Sequence, residues 1–161
     1  EINGKGSAYC VSPFSQFHSK SVRHICRTVK RLSEKRKKKY IYTYWHQPDT
    51  AMHRYGVKSE QAHEQILLIN SEVEKLCKRI KNSLVIITAD HECGGITADG
   101  DNFIYTSNNH TNTNVPLFAL GGGVKEWVDS TYALENIDVA KHIASIFGET
   151  EFGQSGFIPM P

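Results

Sequence analysis

Residues 40–88 constrain the fold more than any other stretch, because they read as strand, helix, strand. "YIYTYW", from Tyr40 to Trp45, is β-branched and aromatic with no turn former inside it, which predicts a strand. In "VKSEQAHEQILLINSEVEKLCKRIKN", Ser59 is a credible N-cap, and Ala62, Ile66, Ile69, Val73, Leu76 and Ile80 keep a three-four spacing. That spacing predicts a long helix. "SLVIITADH" then carries a continuous apolar run without alternation, the pattern of a strand covered on both faces. Such a βαβ unit predicts parallel strands at 40–45 and 84–88 whose C-terminal ends share one edge of a sheet.

The flanks extend this α/β reading. Val22, Ile25, Val29 and Leu32 form one apolar stripe on a helix expected to run from Ser21 to about Lys38. Residues 1–19 read as an irregular start, with Gly4, Gly6 and Pro13 breaking any period. "NFIYT" and "VPLFALGGG" read as two further strands. "ENIDVAKHIASIFG" reads as a closing helix that buries Ile137, Ala140, Ile143, Ala144 and Phe147, with Gly148 at its C-cap. No internal repeat or low-complexity linker separates a second domain, so residues 1–161 are expected to be a single portion of one domain.

Composition narrows the partners. A hydrophobic content of 39% argues against disorder, and a net charge of +2 with a pI near 8.4 predicts no strong general attraction for nucleic acid. The local exception is "KRLSEKRKKK", Lys30 to Lys39, dense enough to attract phosphates or an acidic surface. Its plainest reading is a solvated helix end that opposes the negative end of the macrodipole. Cysteines 10, 26, 77 and 93 form no C-x-x-C pair, and Cys26 and Cys77 fall in helical patterns as small core residues. No stretch approaches the roughly 20 apolar residues of a membrane span. The chain opens "EINGKGSAYC" without a methionine, which suggests that it was cut from something longer and leaves the compartment open.

Chemistry gathers at the strand exits. Ligands of open α/β sheets bind beyond the carboxyl ends of the strands. Asp49 and His53 leave the first strand at that edge, where Pro48 is expected to stop the strand by removing a ladder donor. Asp90 and His91 leave the second. A carboxylate and an imidazole four residues apart can meet on one cation across a helical turn, and oxygen plus imidazole nitrogen suits zinc or a similar divalent ion. D-x-x-x-H alone is a weak signal, since a capping Asp with a partly exposed His produces it too. An Asp-His pair that abruptly ends "VIITA" is stronger, because the strand has little structural need of it.

"YWHQPDTAMHRYG" followed by a Ser-started long helix resembles the type I phosphodiesterase and nucleotide pyrophosphatase family. "IITADHECGG" resembles the metal-binding strand end of alkaline phosphatases, and "NNHTNTNVPLFALGGG" the same superfamily's His-Thr element. Together they cover about residues 40–123, and "YALENIDVAKHIASIFG" resembles the family's closing segment. The resemblance implies an alkaline-phosphatase-like, mostly parallel sheet flanked by helices. It implies that Asp49, His53 and His110 ligate one divalent metal and Asp90 and His91 a second, with zinc the ion that the donors suit and Thr111 placed to steady His110. It also implies hydrolysis of a phosphodiester or phosphomonoester, such as a nucleotide, through a Thr or Ser nucleophile and a covalent phospho-enzyme. His110 precedes its strand, so it reaches the shared rim only if the strand at 115–120 runs antiparallel.

The departures matter as much. The family's nucleophile and another metal-binding Asp belong to a first strand that has no counterpart here, since "SAYC" and "SPFSQF" lack a strand-turn-helix or an Asp partner. The expectation is therefore a C-terminal portion, inactive alone, completed by the remainder of a parent enzyme. The "YWHQPD" motif leans toward diesterases, whereas "TADHECGG" and "HTNTNVP" lean toward monoesterases. The alternatives are a non-catalytic metal-binding or interaction module of the same fold and, more weakly, a nucleic-acid binder using Lys30–Lys39. Trp45 and Tyr55 could stack on a nucleobase, line a substrate pocket or simply pack, and His46 reads as a support of the cluster or as solvent-facing. Glu92 and Cys93 follow the Asp-His pair without support from the resemblance. Gly94 and Gly95 suit a tight turn, and glycines 121–123 lack the Lys-Ser/Thr of a P-loop.

Overall fold

A computed structural model describes residues 6–92, 96–99, 102–105, 114–122 and 136–148. Its first unit is built from a segment that the sequence leaves irregular. Strand β1 (Ser7–Val11) pairs in parallel with β2 (Lys39–Thr43), from Ser7 opposite Lys39 to Val11 opposite Thr43. Five residues between Gly6 and Pro13 are too few to show a period, and only the ladder with β2 makes "SAYCV" a strand. Helix α1 (Val22–Ser33) is the crossover between them.

Helix α1 starts where Ser21 caps it, accepting from the His24 amide at 3.2 Å. Its stripe buries as expected: Val11, Ile25, Val29 and Leu32 form the core, with Tyr9, Phe17, Ile41, Trp45, Leu76 and Ile80 packed around it. The helix stops at Ser33, five residues before Lys38. No apolar residue follows Leu32 to bury, and residues 35–39 are all cationic, so continuation would stack like charges one turn apart.

Strand β2 likewise stops at Thr43, before Pro48. Pro48 does not end the strand; it stands at the N-cap of helix α2 (Asp49–Tyr55), where a missing amide hydrogen costs nothing. Helix α3 (Glu60–Cys77) follows, with the Ser59 hydroxyl accepting from the Ala62 amide at 3.2 Å. Ala62 is fully buried, but Ile66 is exposed, so the stripe expected on α3 is only partly covered. Glu72 closes the α1–α3 contact, 3.4 Å from Arg23 and 3.0 Å from Lys75.

Strand β3 (Leu84–Thr88) pairs antiparallel with β6 (Leu117–Gly121), Thr88 opposite Leu117. The antiparallel strand expected at 115–120 is thus present, and it enters at the end where β3 leaves. Leu84 to Ile87 are half-buried on both faces, less covered than the unbroken apolar run suggests. At the other end of β6, Gly121 adopts φ +100°, and a Cβ there would lie 2.1 Å from the Ser83 carbonyl oxygen. Strands β4 (Ile96–Asp99) and β5 (Asn102–Tyr105), the latter the expected "NFIYT", pair antiparallel. Helix α4 (Asn136–Ile146) ends in buried Phe147 and in Gly148 at φ +75°. Ala140, expected on its buried face, is exposed, while Ile143 and Ala144 are half-buried.

Among the described residues no ladder joins β2 to β3, and the hydrogen-bonded parallel pair is that of the β1–α1–β2 unit. Helix α4 makes a hydrogen bond beside each of β2 and β3. The Asn136 side chain donates to the Asp90 carbonyl at 3.0 Å, and Lys38 Nζ donates to the Ile146 carbonyl at 2.5 Å. A helix of 11 residues, about 16 Å long, thus runs from the exit of β3 to the entry of β2. Strand β3 thus leaves near the start of α4 and β2 begins near its end, and the residues that follow the two exits, where the entry of β6 also lies, form a candidate rim.

Candidate functional site

The rim begins with α2. Because Asp49 opens this helix and His53 lies one turn on, their side chains share a face, and Asp49 Oδ1 stands 3.2 Å from His53 Nε2. That oxygen is buried and accepts no hydrogen bond among the described residues, although the imidazole nitrogen is close. The helix is held in place around them: the Ala51 amide donates to Gln47 Oε1 at 3.1 Å and the Thr50 amide to the His46 carbonyl at 3.2 Å.

The second pair follows β3. His91 Nδ1 faces the Glu92 carbonyl at 2.6 Å, and because a carbonyl oxygen only accepts, Nδ1 is the donor in that contact. His91 Nε2 is 3.8 Å from Asp90 Oδ1, and the Asp90 carboxylate is exposed. Asn136 anchors the backbone at this point. Its role has no signature in the sequence beyond an amide at a helix start.

Two tyrosines report that the pairs are neighbours. Burial pushes the Tyr44 phenol up, and the negative charges of Asp90 and then Asp49 push it further. Burial and then Asp90 do the same to Tyr42. Tyr44, just past the end of β2, is thus close enough to feel a carboxylate from each motif. The exposed ring of Phe14 sits 6.5 Å from that of Tyr44 and 6.3 Å from that of His46, and Trp45 stacks on His46 at 4.5 Å. The sequence raises packing or a pocket for Trp45 and a support of the cluster or solvent for His46; for Phe14 and Tyr44 only the ladder of β1 with β2 supplies the signal.

His110, Thr111, Cys93, Gly94 and Gly95 lie outside the described residues. The entry of β6 is described, and it is at the rim: Thr88 Oγ1 donates to the Pro116 carbonyl at 3.0 Å. Among the described residues no three His, Cys, Asp or Glu side chains are grouped to hold one ion. What is assembled is a pair from α2 and a pair from the exit of β3 on one rim.

Donor chemistry fits a divalent cation at the first pair. Oxygen and nitrogen ligands with bonds of about 2.0–2.2 Å stand roughly 3.3 Å apart around a tetrahedral ion. The separation at Asp49 and His53 is 3.2 Å. The buried Asp49 oxygen without a hydrogen-bond partner among the described residues is compatible with such a ligand.

Comparison with known proteins identifies the family. GPI ethanolamine phosphate transferase 1 of Candida glabrata is 32% identical over 82 residues, which is 47% of this chain; the matched region spans only 8% of that protein's length. No solved structure matches the chain. The sequence pattern of type I phosphodiesterase / nucleotide pyrophosphatase matches residues 6–146, from the start of β1 to the end of α4, and the chain belongs to that family.

Proposed function

We propose that this chain is a portion of a metal-dependent enzyme that cleaves phosphate esters, with its chemistry at the rim formed by α2, the exit of β3 and the entry of β6. Membership of the phosphodiesterase family supports phosphoester chemistry. The observation that carries the site is the Asp49–His53 pair, two ligand atoms 3.2 Å apart with the carboxylate oxygen buried and not hydrogen-bonded.

In this reading Asp49, His53 and His110 hold one divalent ion, and Asp90 and His91 hold another, with zinc the ion that the donor set suits best. Paired cations there would neutralise the phosphoryl oxygens and stabilise the entering and leaving groups of an in-line displacement. The chain's own residues supply the frame. Glu92 fixes the His91 ring through its carbonyl, α4 fixes Asp90 through Asn136, and Gln47 fixes the first turn of α2. The nucleophile, a Thr or Ser, is proposed to come from a segment of the parent enzyme outside these 161 residues. Substrates are phosphomonoesters or phosphodiesters, nucleotides among them.

The related protein is by name a transferase, which favours a second reading in which an alcohol replaces water as the final acceptor of the phosphoryl group. Nitrophenyl phosphate and bis-nitrophenyl phosphate, each offered to the parent enzyme with and without an added alcohol, separate these cases by their products. The site itself is tested by metal content. Purified protein is expected to carry zinc that is lost at one site in Asp49→Ala and in His110→Ala; unchanged zinc in both variants would remove the proposed ligands.

A further inference from the structure

The helix ends opposite the rim carry a charge pattern that phosphoester chemistry does not use. Ten of the 19 Lys and Arg residues fall in residues 30–39 and 78–81, against one acidic residue, so the excess charge of a nearly neutral chain is concentrated there. Folding brings the two segments together. Lys30, Ser33 and Glu34 at the end of α1 and Arg79 and Lys81 beyond the end of α3 line a cleft of about 330 Å³.

These cations divide into two groups. Several are held within the fold: Lys30 by Glu34, Lys78 by Glu74, Lys39 by the carbonyls of Ser33 and Lys35, and Lys38 by the carbonyl of Ile146 and the ring of Phe147. Arg31, Arg36, Lys37, Arg79 and Lys81 are exposed and make no ion pair or side-chain hydrogen bond among the described residues. A helix end needs one or two cations to oppose its dipole, and α1 already has Lys30 and Arg31 in its last turn. The remaining charge is in excess of that structural need.

We propose that this edge docks the protein on an anionic membrane surface, with the cleft between α1 and α3 receiving lipid headgroup phosphates. With Arg31 serving the α1 dipole, four exposed cations remain at the ends of α1 and α3, Arg36, Lys37, Arg79 and Lys81, within the range of four to eight that makes a polybasic segment bind acidic lipid. Nucleic acid fits less well, since residues 30–39 and 78–81 contain no aromatic ring to stack on a base. The pI of about 8.4 is also below that usual for nucleic-acid-binding domains. Docking here leaves the other rim free. The basic edge is at the entries of β2 and β3, whereas Asp49 and Asp90 follow their exits, about 17 Å away along a five-residue strand.

Flotation of the whole 161-residue chain with lipid vesicles tests this independently of the metal site. Vesicles of phosphatidylcholine containing phosphatidylserine should carry the protein at low salt and release it at high salt, and phosphatidylcholine alone should not carry it. Arg79→Ala with Lys81→Ala should weaken partitioning about tenfold or more, as should Arg36→Ala with Lys37→Ala. Lys20→Ala with Lys58→Ala, a charge-matched change elsewhere, should not. Circular dichroism shows that each variant is folded, and two separate pairs keep the test open if one is not. Equal binding to neutral vesicles, no binding to acidic ones, an equal loss in the control, or removal of the protein from acidic vesicles by duplex DNA at matched phosphate would overturn the proposal.

Discussion

Cys26 shows how a side chain that the sequence marks as a core residue acquires a chemical consequence. It is buried against α3, and its thiol is pushed up to about 11, first by burial and then by the negative charge of Glu72. The unfolded chain, with an ordinary thiol near 9.0, therefore gives up its proton first. Stability should be level through this thiol below about pH 9 and fall as pH rises toward 11, a loss absent from Cys26→Ala. Ellman's reagent at neutral pH should label exposed Cys10 promptly and Cys26 only after denaturant is added; equally rapid labelling of both would contradict the packing. Asp49 and His53 were visible as a D-x-x-x-H pattern, but spacing alone could not distinguish a capping Asp from a ligand. Their facing geometry depends on the helical turn that Pro48 opens. Tyr44 and Phe14 were not legible as neighbours of the rim, because they follow different strands and meet only through the β1–β2 ladder.

At the level of elements, caps and stripes set boundaries in different ways. Helix α3 starts at its Ser59 cap, and Ser59→Ala should cost about 1 kcal/mol in a denaturant titration. Leu32, fully buried at the centre of the α1 core, should cost about 2–5 kcal/mol as Leu32→Ala. The ordering of these two losses is the check: a cap contributes one hydrogen bond, whereas Leu32 leaves a cavity beneath two strands and two helices. Element types were legible wherever the apolar period was long, as in α1 and α3, or the run was β-branched, as in β2 and β3. Ends were less so. Helix α1 stops when it runs out of surface to bury, five residues before its charged tail ends, and β1 exists because β2 offers it a ladder. The antiparallel sense of β6 followed from asking where His110 would have to be, and the register of Leu117 opposite Thr88 gives that strand its entry at the rim.

For the whole molecule, the β3–β6 ribbon sets the practical behaviour. Opposed residues of a ladder share a face, so Val85 with Leu120 and Ile87 with Phe118 form one apolar surface. Phe118 is 58% exposed and Leu120 44%. Phe118→Lys should raise solubility, measured as the protein concentration remaining after centrifugation, while moving the melting temperature little. A clear drop in melting temperature would show that the face is covered in solution. The sequence by itself determined the chemical inventory, two Asp-His motifs following two strand patterns, and the amphipathic stripe that makes α1 a core helix, because both are local properties of spacing. Tertiary structure decided which strand pairs with which, that α4 ties the exit of β3 to the entry of β2, and that the tails of α1 and α3 meet in one basic cleft. Those outcomes rest on contacts between residues far apart in the chain, and no local period encodes them.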